Sequence, residues 1–269
     1  MSISLLNNVT ALEAENQVNQ TDSSLQNVLL QLSSGSRLNS GADDPAGLSI
    51  ADSLQANITQ LNQAANNANT GIGLLQTADG SLGQVTNLLD RAITIATEAA
   101  NGGLTTSQAA ALDNEFTSIK AEIDRIGSQT TFNGTSIFTG ATTSVFLGSA
   151  ANSIGVTIST LSSAALNLSS DSLTTTTNAA QALTDINAAV STVAQDRGTI
   201  GATLNRLTDA QNVINNQVTN LTSAENLIQS ANIPQDVSQE AQYSVLEQTG
   251  ISALSQANQS TENILKLFQ

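Results

Sequence analysis

The chain has 269 residues, a formal net charge of −15, no His, no Cys and only 2% aromatic residues. A protein without a basic footprint is poorly suited to nucleic acid or to anionic membranes, and no segment reaches the ~18 continuous apolar residues of a membrane span. The missing His and Cys remove the usual catalytic bases, nucleophiles and zinc ligands, so we expect no catalytic residue, no cofactor and no metal site.

The first predicted element is an amphipathic helix over residues 3–32, where aliphatic side chains recur at helical spacing. Its apolar stripe includes Leu5, Leu12, Leu25 and Leu32. Residues 33–47 combine Ser, Gly, Asn and Asp without a period and predict a loop. Asp44 before Pro45 predicts the next helix start, because Asp is a good N-cap and Pro is tolerated in a first turn.

Two long stretches then place an aliphatic residue at every seventh position. The first row is Leu54, Leu61, Ala68, Leu75, Leu82, Leu89 and Ala96, and the second is Ile186, Val193, Ile200, Leu207, Ile214, Leu221 and Ile228. A heptad row makes a narrow apolar stripe that stays buried only against another helix. We therefore expect long helices over about 45–100 and 179–230, each the partner of the other.

The segment between these helices changes character along its length. Residues 106–127 predict a second helix, Asn133-Gly134 predicts a tight hairpin turn, and 145–147 and 154–158 predict short strands. The Ser/Thr-rich span 135–177 is expected to be exposed at an outer tip.

The chain ends with a predicted break at 232–236 and an amphipathic helix, whose apolar residues include Leu254, Leu265 and Phe268. The element order predicts a mainly α fold, a long antiparallel coiled-coil rod with a small β-hairpin region at mid-chain. The expected domains are 1–44, 45–130, 131–178, 179–231 and 232–269, with the first pairing with the last and the second with the fourth.

The segment from Gln31 to Leu48, QLSSGSRLNSGADDPAGL, resembles the signature stretch of bacterial flagellin. Three further matches follow the family's order: Asn7 to Ala14, Thr131 to Gly134, and Ser255 to Asn258. Together they cover most of 1–140 and 180–269. Four collinear motifs on a mirrored helical plan make the resemblance specific, although Leu30 and Gln31 replace an acidic–basic pair common in the family.

The resemblance implies a subunit of the flagellar filament, used for motility, in a short form that lacks large outer domains. Helices within 1–33 and 235–269 would line a central channel, and the heptad helices would form the wall. Expected partners are many identical subunits, an export chaperone, and cap and junction proteins. The N-terminus lacks the features of a Sec-type signal peptide, so a secreted, extracellular protein would leave the cell through the flagellar export apparatus.

The resemblance also assigns roles to particular residues. Self-assembly is expected to involve Leu5, Leu12, Leu25, Leu32, Arg37, Asp43, Asp44, Leu254, Leu265 and Phe268. Arg37 is expected to pair with Asp43 or Asp44, within or between subunits. A cation or acid–base site at the two aspartates is the alternative to capping and loop structure, which is favoured because the loop has no His or Cys.

Arg91, Ile95 and Glu115 match positions that contact a vertebrate Toll-like receptor in some flagellins. The alternative is that Arg91 and Glu115 are polar residues within the wall. Two other helical rods remain as alternative functions: a chemoreceptor stalk, which would need membrane spans, and the hook–filament junction protein, which usually departs from the loop signature at 33–48.

Overall fold

The computed structural model describes residues 8–148 and 152–267. Its elements are α1 (Val9–Ser34), α2 (Pro45–Ala100), α3 (Thr106–Gln129), β1 (Thr131–Phe132), β2 (Thr135–Ser136), β3 (Thr142–Phe146), β4 (Ser153–Thr157), α4 (Thr176–Gln229) and α5 (Ile233–Leu267). The predicted mainly α fold with a small hairpin region is confirmed. None of these helices carries an apolar segment long enough to cross a membrane.

The predicted break near Pro234 is shorter than expected. α5 already begins at Ile233, so only residues 230–232 separate it from α4. Pro234 lies in the first turn, where its missing N–H removes no helical hydrogen bond. The first helical bond comes from the Asp236 N–H, which donates to the Asn232 carbonyl at 2.9 Å.

The chain forms two compact units, Met1–Ile58 with Asn220–Gln269 (unit 1) and Thr59–Thr219 (unit 2). These limits lie inside α2 and α4, and the division at 44/45 and 231/232 stays a prediction. Unit 1 includes the first turns of α2 and the last turns of α4, which contact each other. There the side-chain nitrogen of Gln55, with the amide oriented so that this nitrogen faces α4, donates to the Glu225 carboxylate at 2.9 Å.

Unit 2 is built around the central parts of the two heptad rows, as predicted. Both rows are buried there, with Ala68, Leu75, Leu82, Leu89 and Ala96 on α2 and Ile186, Val193, Ile200, Leu207 and Ile214 on α4. α3 adds Phe116, Ile119 and Ile123 to the same cluster. At the edge of this core, Arg197 Nε lies 2.8 Å from Asp79 Oδ1 and joins α4 to α2.

Two antiparallel hairpins complete the β region. Asn133 and Gly134 connect β1 to β2 with φ of 50° and 77°, as the Asn-Gly pair predicts for a turn that needs two positive φ values. β3 pairs with β4 from Thr142 opposite Thr157 to Phe146 opposite Ser153. The alternation places Val145 and Val156 in the core and leaves Phe146 exposed.

The segment that follows β4 corrects the expectation that span 135–177 is exposed. Four leucines within it are buried: Leu161, Leu166, Leu168 and Leu173. Local turns produce this, since the Leu166 N–H donates to the Ser162 carbonyl and the Leu168 N–H to the Ser163 carbonyl. Many Ser and Thr side chains stay outside, but the backbone that carries them is packed on the unit 2 core.

Candidate assembly surface

The candidate surface is formed by α1 and α5, which pack on each other in unit 1. Asn8 is the N-cap of α1, and its Oδ1 accepts from the Ala11 N–H at 3.1 Å. The other end of the same amide donates to the Ala257 carbonyl of α5 at 3.2 Å. A Cβ on Gly250 would lie 2.7 Å from Val18 Cγ2, so this glycine permits close approach of the two helices.

The outward faces of the pair expose several large apolar side chains. The exposed large hydrophobic residues are Val9, Leu12, Leu29 and Leu30 on α1, and Ile233, Val237, Val245, Leu246 and Ile251 on α5. Of the predicted assembly residues, Leu12 is 58% exposed, whereas Leu25, Leu32 and Leu254 are half-buried. Leu5 and Phe268 lie outside the described residues, and Leu265 is placed only by its position in α5.

Several of these outward residues are not among the predicted assembly residues. Val28-Leu29-Leu30 and Val245-Leu246 are runs of adjacent apolar residues. Successive residues point about 100° apart around a helix, so one partner helix cannot cover a whole run. Val28 is buried while Leu29 and Leu30 are exposed. The runs were the available signal for a second apolar face.

Hydrogen bonds join the loop that follows α1 to the end of α4 and to the short connection between α4 and α5. Gly35 caps the C-terminus of α1 with a φ of 67°, which suits glycine, and its carbonyl accepts from the Ala231 N–H at 3.0 Å. The Arg37 N–H donates to the Gln229 carbonyl at 2.7 Å, and Arg37 Nη2 donates to the Ile228 carbonyl at 2.9 Å. The guanidinium therefore sits against the last carbonyls of α4, where a cation is favoured.

This geometry corrects the expected pairing of Arg37 with Asp43 or Asp44 within the chain. The ion pairs found among residues 8–148 and 152–267 involve Arg91, Arg125 and Arg197, and not Arg37. The unsatisfied carbonyls at the α4 terminus offer Arg37 a better-placed acceptor. A pairing between subunits is not tested by a single chain and stays a prediction.

The two aspartates organise the backbone of the loop. Asp43 Oδ2 accepts from the N–H groups of Ser40 at 2.8 Å and Asn39 at 3.0 Å, and these bonds lower the pKa of the Asp43 carboxyl. Asp44 Oδ1 accepts from the Gly47 N–H at 2.9 Å, which confirms the predicted cap of α2. In the part of the chain that the structure describes, no cluster of acidic residues is suited to a metal ion.

Arg91 and Glu115 form an ion pair between α2 and α3, with 2.7 Å between Arg91 Nε and Glu115 Oε1. The pair lowers the pKa of Glu115 and raises that of Arg91, chiefly through the hydrogen bond between them. Both side chains remain accessible. Ile95 is fully buried in the hydrophobic core of unit 2 and does not share the accessible surface of Arg91 and Glu115, and its contact with a receptor stays a prediction.

Comparison with known proteins agrees with this geometry. A family model described as the bacterial flagellin N-terminal helical region matches residues 5–143, and one for the C-terminal helical region matches 183–268. The chain belongs to the bacterial flagellin family. The two matches contain α1 to β2 and most of α4 and α5, so both helices of the candidate assembly surface are flagellin elements.

Curated relatives carry the flagellin name but are longer. The chain is 38% identical over 165 residues to a B-type flagellin of Pseudomonas aeruginosa, covering 60% of this chain and 34% of the relative. It is 37% identical over 158 residues to a flagellin of Xenorhabdus nematophila, covering 58% of this chain and 50% of the relative. The chain thus spans about a third to a half of the length of these flagellins.

Two solved structures share the fold. A Bacillus cereus flagellin is 29% identical with a TM-score of 0.50, covering 60% of this chain and 94% of that one. A protein assigned as flagellar hook-associated from Vibrio parahaemolyticus is 14% identical with a TM-score of 0.60, covering 69% of this chain and 99% of that one. At that identity the second likeness concerns the fold alone.

Proposed function

We propose that this flagellin-family chain is a structural subunit of a bacterial flagellar filament, used for motility, and that it polymerises through the outward faces of α1 and α5. The observation that carries the proposal is the set of nine large apolar side chains that are exposed among the described residues of these two helices. Removing one Leu or Ile side chain from water contributes roughly 1.5–3 kcal/mol. An apolar surface of this extent on a monomer is a liability unless another chain covers it.

The second unit provides the contrast that makes this surface specific. In the described part of unit 2, only Phe146 and Val213 are exposed large hydrophobic residues. The chain therefore closes one core by itself and leaves apolar faces open on the other unit. A filament needs such faces on every subunit, because each copy must contact several others.

Charge acts against this association. A net charge of −15 per chain repels other copies, and salt screens that repulsion over about 10 Å at 0.1 M. Polymerisation should therefore become easier with rising salt or with partial protonation of the carboxylates. Turbidity of a monomer solution titrated with salt measures this.

The other partners of the proposal follow from the family. The chain would leave the cell through the flagellar export apparatus with a chaperone, join the filament beneath a cap, and meet junction proteins at its base. Arg91 and Glu115 are accessible polar residues and so remain candidate contacts for a vertebrate Toll-like receptor. A reporter-cell assay with monomer tests this. No reporter signal at doses where a known agonist saturates the response would contradict it.

The central experiment compares two pairs of substitutions. Leu12→Ser with Val245→Ser removes apolar surface from α1 and α5, and Phe146→Ser with Val213→Ser removes similar exposed surface from unit 2. Ammonium sulfate is added to each purified protein, and tubes are scored by negative-stain electron microscopy. We expect tubes from the unchanged chain and the unit 2 pair, and none from the α1/α5 pair.

Circular dichroism shows whether each variant keeps its helices, since all four residues are exposed. Tubes from the α1/α5 variant at the unchanged critical concentration would contradict the proposed interface. Immunogold labelling on cells separates the filament from the junction alternative. Label along the whole filament supports a filament subunit, whereas label confined to its base would assign the chain to the junction.

A further inference from the structure

The segment that links β4 to α4, residues 159–173, has no regular secondary structure yet is attached to α3 at several points. Asp124 of α3 accepts two hydrogen bonds from Ser163, from its N–H at 2.7 Å and its Oγ at 2.9 Å. Asp113 of α3 accepts from the Leu173 N–H at 2.6 Å. Two carboxylates of one helix therefore hold the backbone near both ends of this segment, which we call the strap.

A lysine of the same helix also holds the strap close to its C-terminal end. Lys120 Nζ donates to the Asp171 carbonyl at 2.6 Å and lies 4.7 Å from the centre of the Phe116 ring. Asp113, Lys120, Asp124 and Gly127 are separated by seven, four and three residues, so they line one face of α3. At Gly127 a Cβ would overlap the Leu161 carbonyl oxygen, so the strap backbone lies directly on the helix there.

One group in the strap opposes this attachment. Asp171 Oδ2 is buried and finds no hydrogen-bond partner among the described residues. Lys120 binds the Asp171 main-chain carbonyl instead of the carboxylate. Burial and the nearby Asp185 of α4 raise the pKa of Asp171, and Lys120 partly offsets this. When the strap is closed at neutral pH, it therefore places an incompletely compensated charge against α3 and α4.

We propose that residues 159–173 open and close on α3 as one unit, and that the charged carboxylate of Asp171 makes the closed state weaker at neutral pH than in acid, where the group is protonated. The proposal concerns unit 2 and does not depend on polymerisation. Opening would release the carboxylate anchors and expose the strap leucines while the helices stay folded. Burial of Leu161, Leu166, Leu168 and Leu173 keeps the open state rare. Because the strap has no helix or strand hydrogen bonds of its own, it can open locally without unfolding those elements.

The direction of the pH effect follows from linkage. The closed state raises the pKa of Asp171 above its open-state value, so closure gains from protonation of this group. That gain is complete below the ordinary value of 3.8 and is lost as pH rises through the raised pKa. The facing charged groups are Lys120 on α3 and Asp185 on α4, and neither replaces the missing partner of Oδ2.

Amide hydrogen exchange of the full chain, read by mass spectrometry on peptides within 159–173, tests the proposal. Each variant is compared with the unchanged chain at the same pH, because chemical exchange itself depends on pH. Asp171→Asn keeps the shape and removes the charge, so we expect several-fold slower exchange of the strap at neutral pH and a difference that shrinks as the pH falls toward 3.8. Asp124→Asn should speed exchange of the strap several-fold without affecting α3.

Asp209→Asn is the matched control, because this residue is an exposed aspartate on α4. It should leave exchange of the strap unchanged. Equal or faster exchange in Asp171→Asn at neutral pH would overturn the role of Asp171. Strap amides that exchange only together with α3 and α4, in every variant, would overturn the strap as a separate opening unit.

Discussion

Gly127 and Gly80 allow the same chemical change to be made at two helical glycines with opposite expected results. Gly127 lies in α3 beneath the strap, where a Cβ would overlap the Leu161 carbonyl oxygen and approach its carbonyl carbon at 2.8 Å. Gly80 lies in the middle of α2, where a Cβ would meet nothing within 4 Å. Substitution of each by Ala therefore separates helix propensity from the close approach of the strap.

The balance between helix propensity and overpacking decides whether each substitution raises or lowers the free energy of unfolding. Ala is favoured over Gly inside a helix by about 0.5–1 kcal/mol, so Gly80→Ala should stabilise unit 2 by up to that amount. At Gly127 the same gain is opposed by overpacking, which costs about 1–3 kcal/mol when backbone must move. Displacement of the strap would also expose part of Leu161, whose full burial contributes about 1.5–3 kcal/mol. We expect Gly127→Ala to destabilise by about 1–2 kcal/mol.

Urea unfolding followed by circular dichroism measures both variants. A higher midpoint for Gly80→Ala and a lower one for Gly127→Ala, with similar slopes, is the expected result. Hydrogen exchange should also increase around Leu161 in Gly127→Ala. If Gly127→Ala stabilises as much as Gly80→Ala, the strap does not lie on α3 as described, and the reasoning from close approach is refuted.

Three further predictions concern single side chains. Leu75→Ala removes a fully buried leucine of the α2 heptad row and should cost about 2–5 kcal/mol in urea unfolding, and a loss below 1 kcal/mol would contradict its place in the core. Arg91→Ala should raise the pKa of Glu115 in an NMR titration, because Arg91 favours the ionised form. The stabilisation from this pair is present above the ordinary Glu pKa of 4.5 and is lost as pH falls through the lowered value. Arg37→Ala should lower stability by about 0.3–1 kcal/mol through loss of the cation at the α4 terminus, whereas Arg37→Lys should retain most of it, and equal loss in both would point to the geometry of the guanidinium rather than its charge.

The parts of the fold that the sequence predicts well depend on local chemistry. α2 runs from Pro45 to Ala100 as expected, because Asp44 caps its start and Asn101-Gly102-Gly103 ends it. The Asn133-Gly134 turn follows from the positive φ values that only a few residue types adopt without strain. Burial of the heptad rows in unit 2 follows from their period.

The parts that the sequence does not predict depend on contacts between distant segments. Asp113, Lys120 and Asp124 have the spacing of an ordinary polar helix face, so nothing local distinguishes anchors for the strap from solvated charges. Arg37 has acidic neighbours in its loop but binds a carbonyl that is 191 residues away along the chain. In both cases the partners include backbone groups, which carry no side-chain signature in the sequence.

The number of elements around each apolar row explains why one chain has a closed core and an open surface. A two-helix contact buries only a stripe on each helix, and the rest of each circumference faces outward. In unit 2 the rows of α2 and α4 are also covered by α3, the hairpins and the strap, so leucines such as Leu89 and Leu207 become fully buried. α1 and α5 carry apolar residues on more than one face but cover only one face of each other. The remaining faces, with Leu12 and Val245 among them, stay exposed in the described residues, and contacts with other chains in a filament would remove them from water.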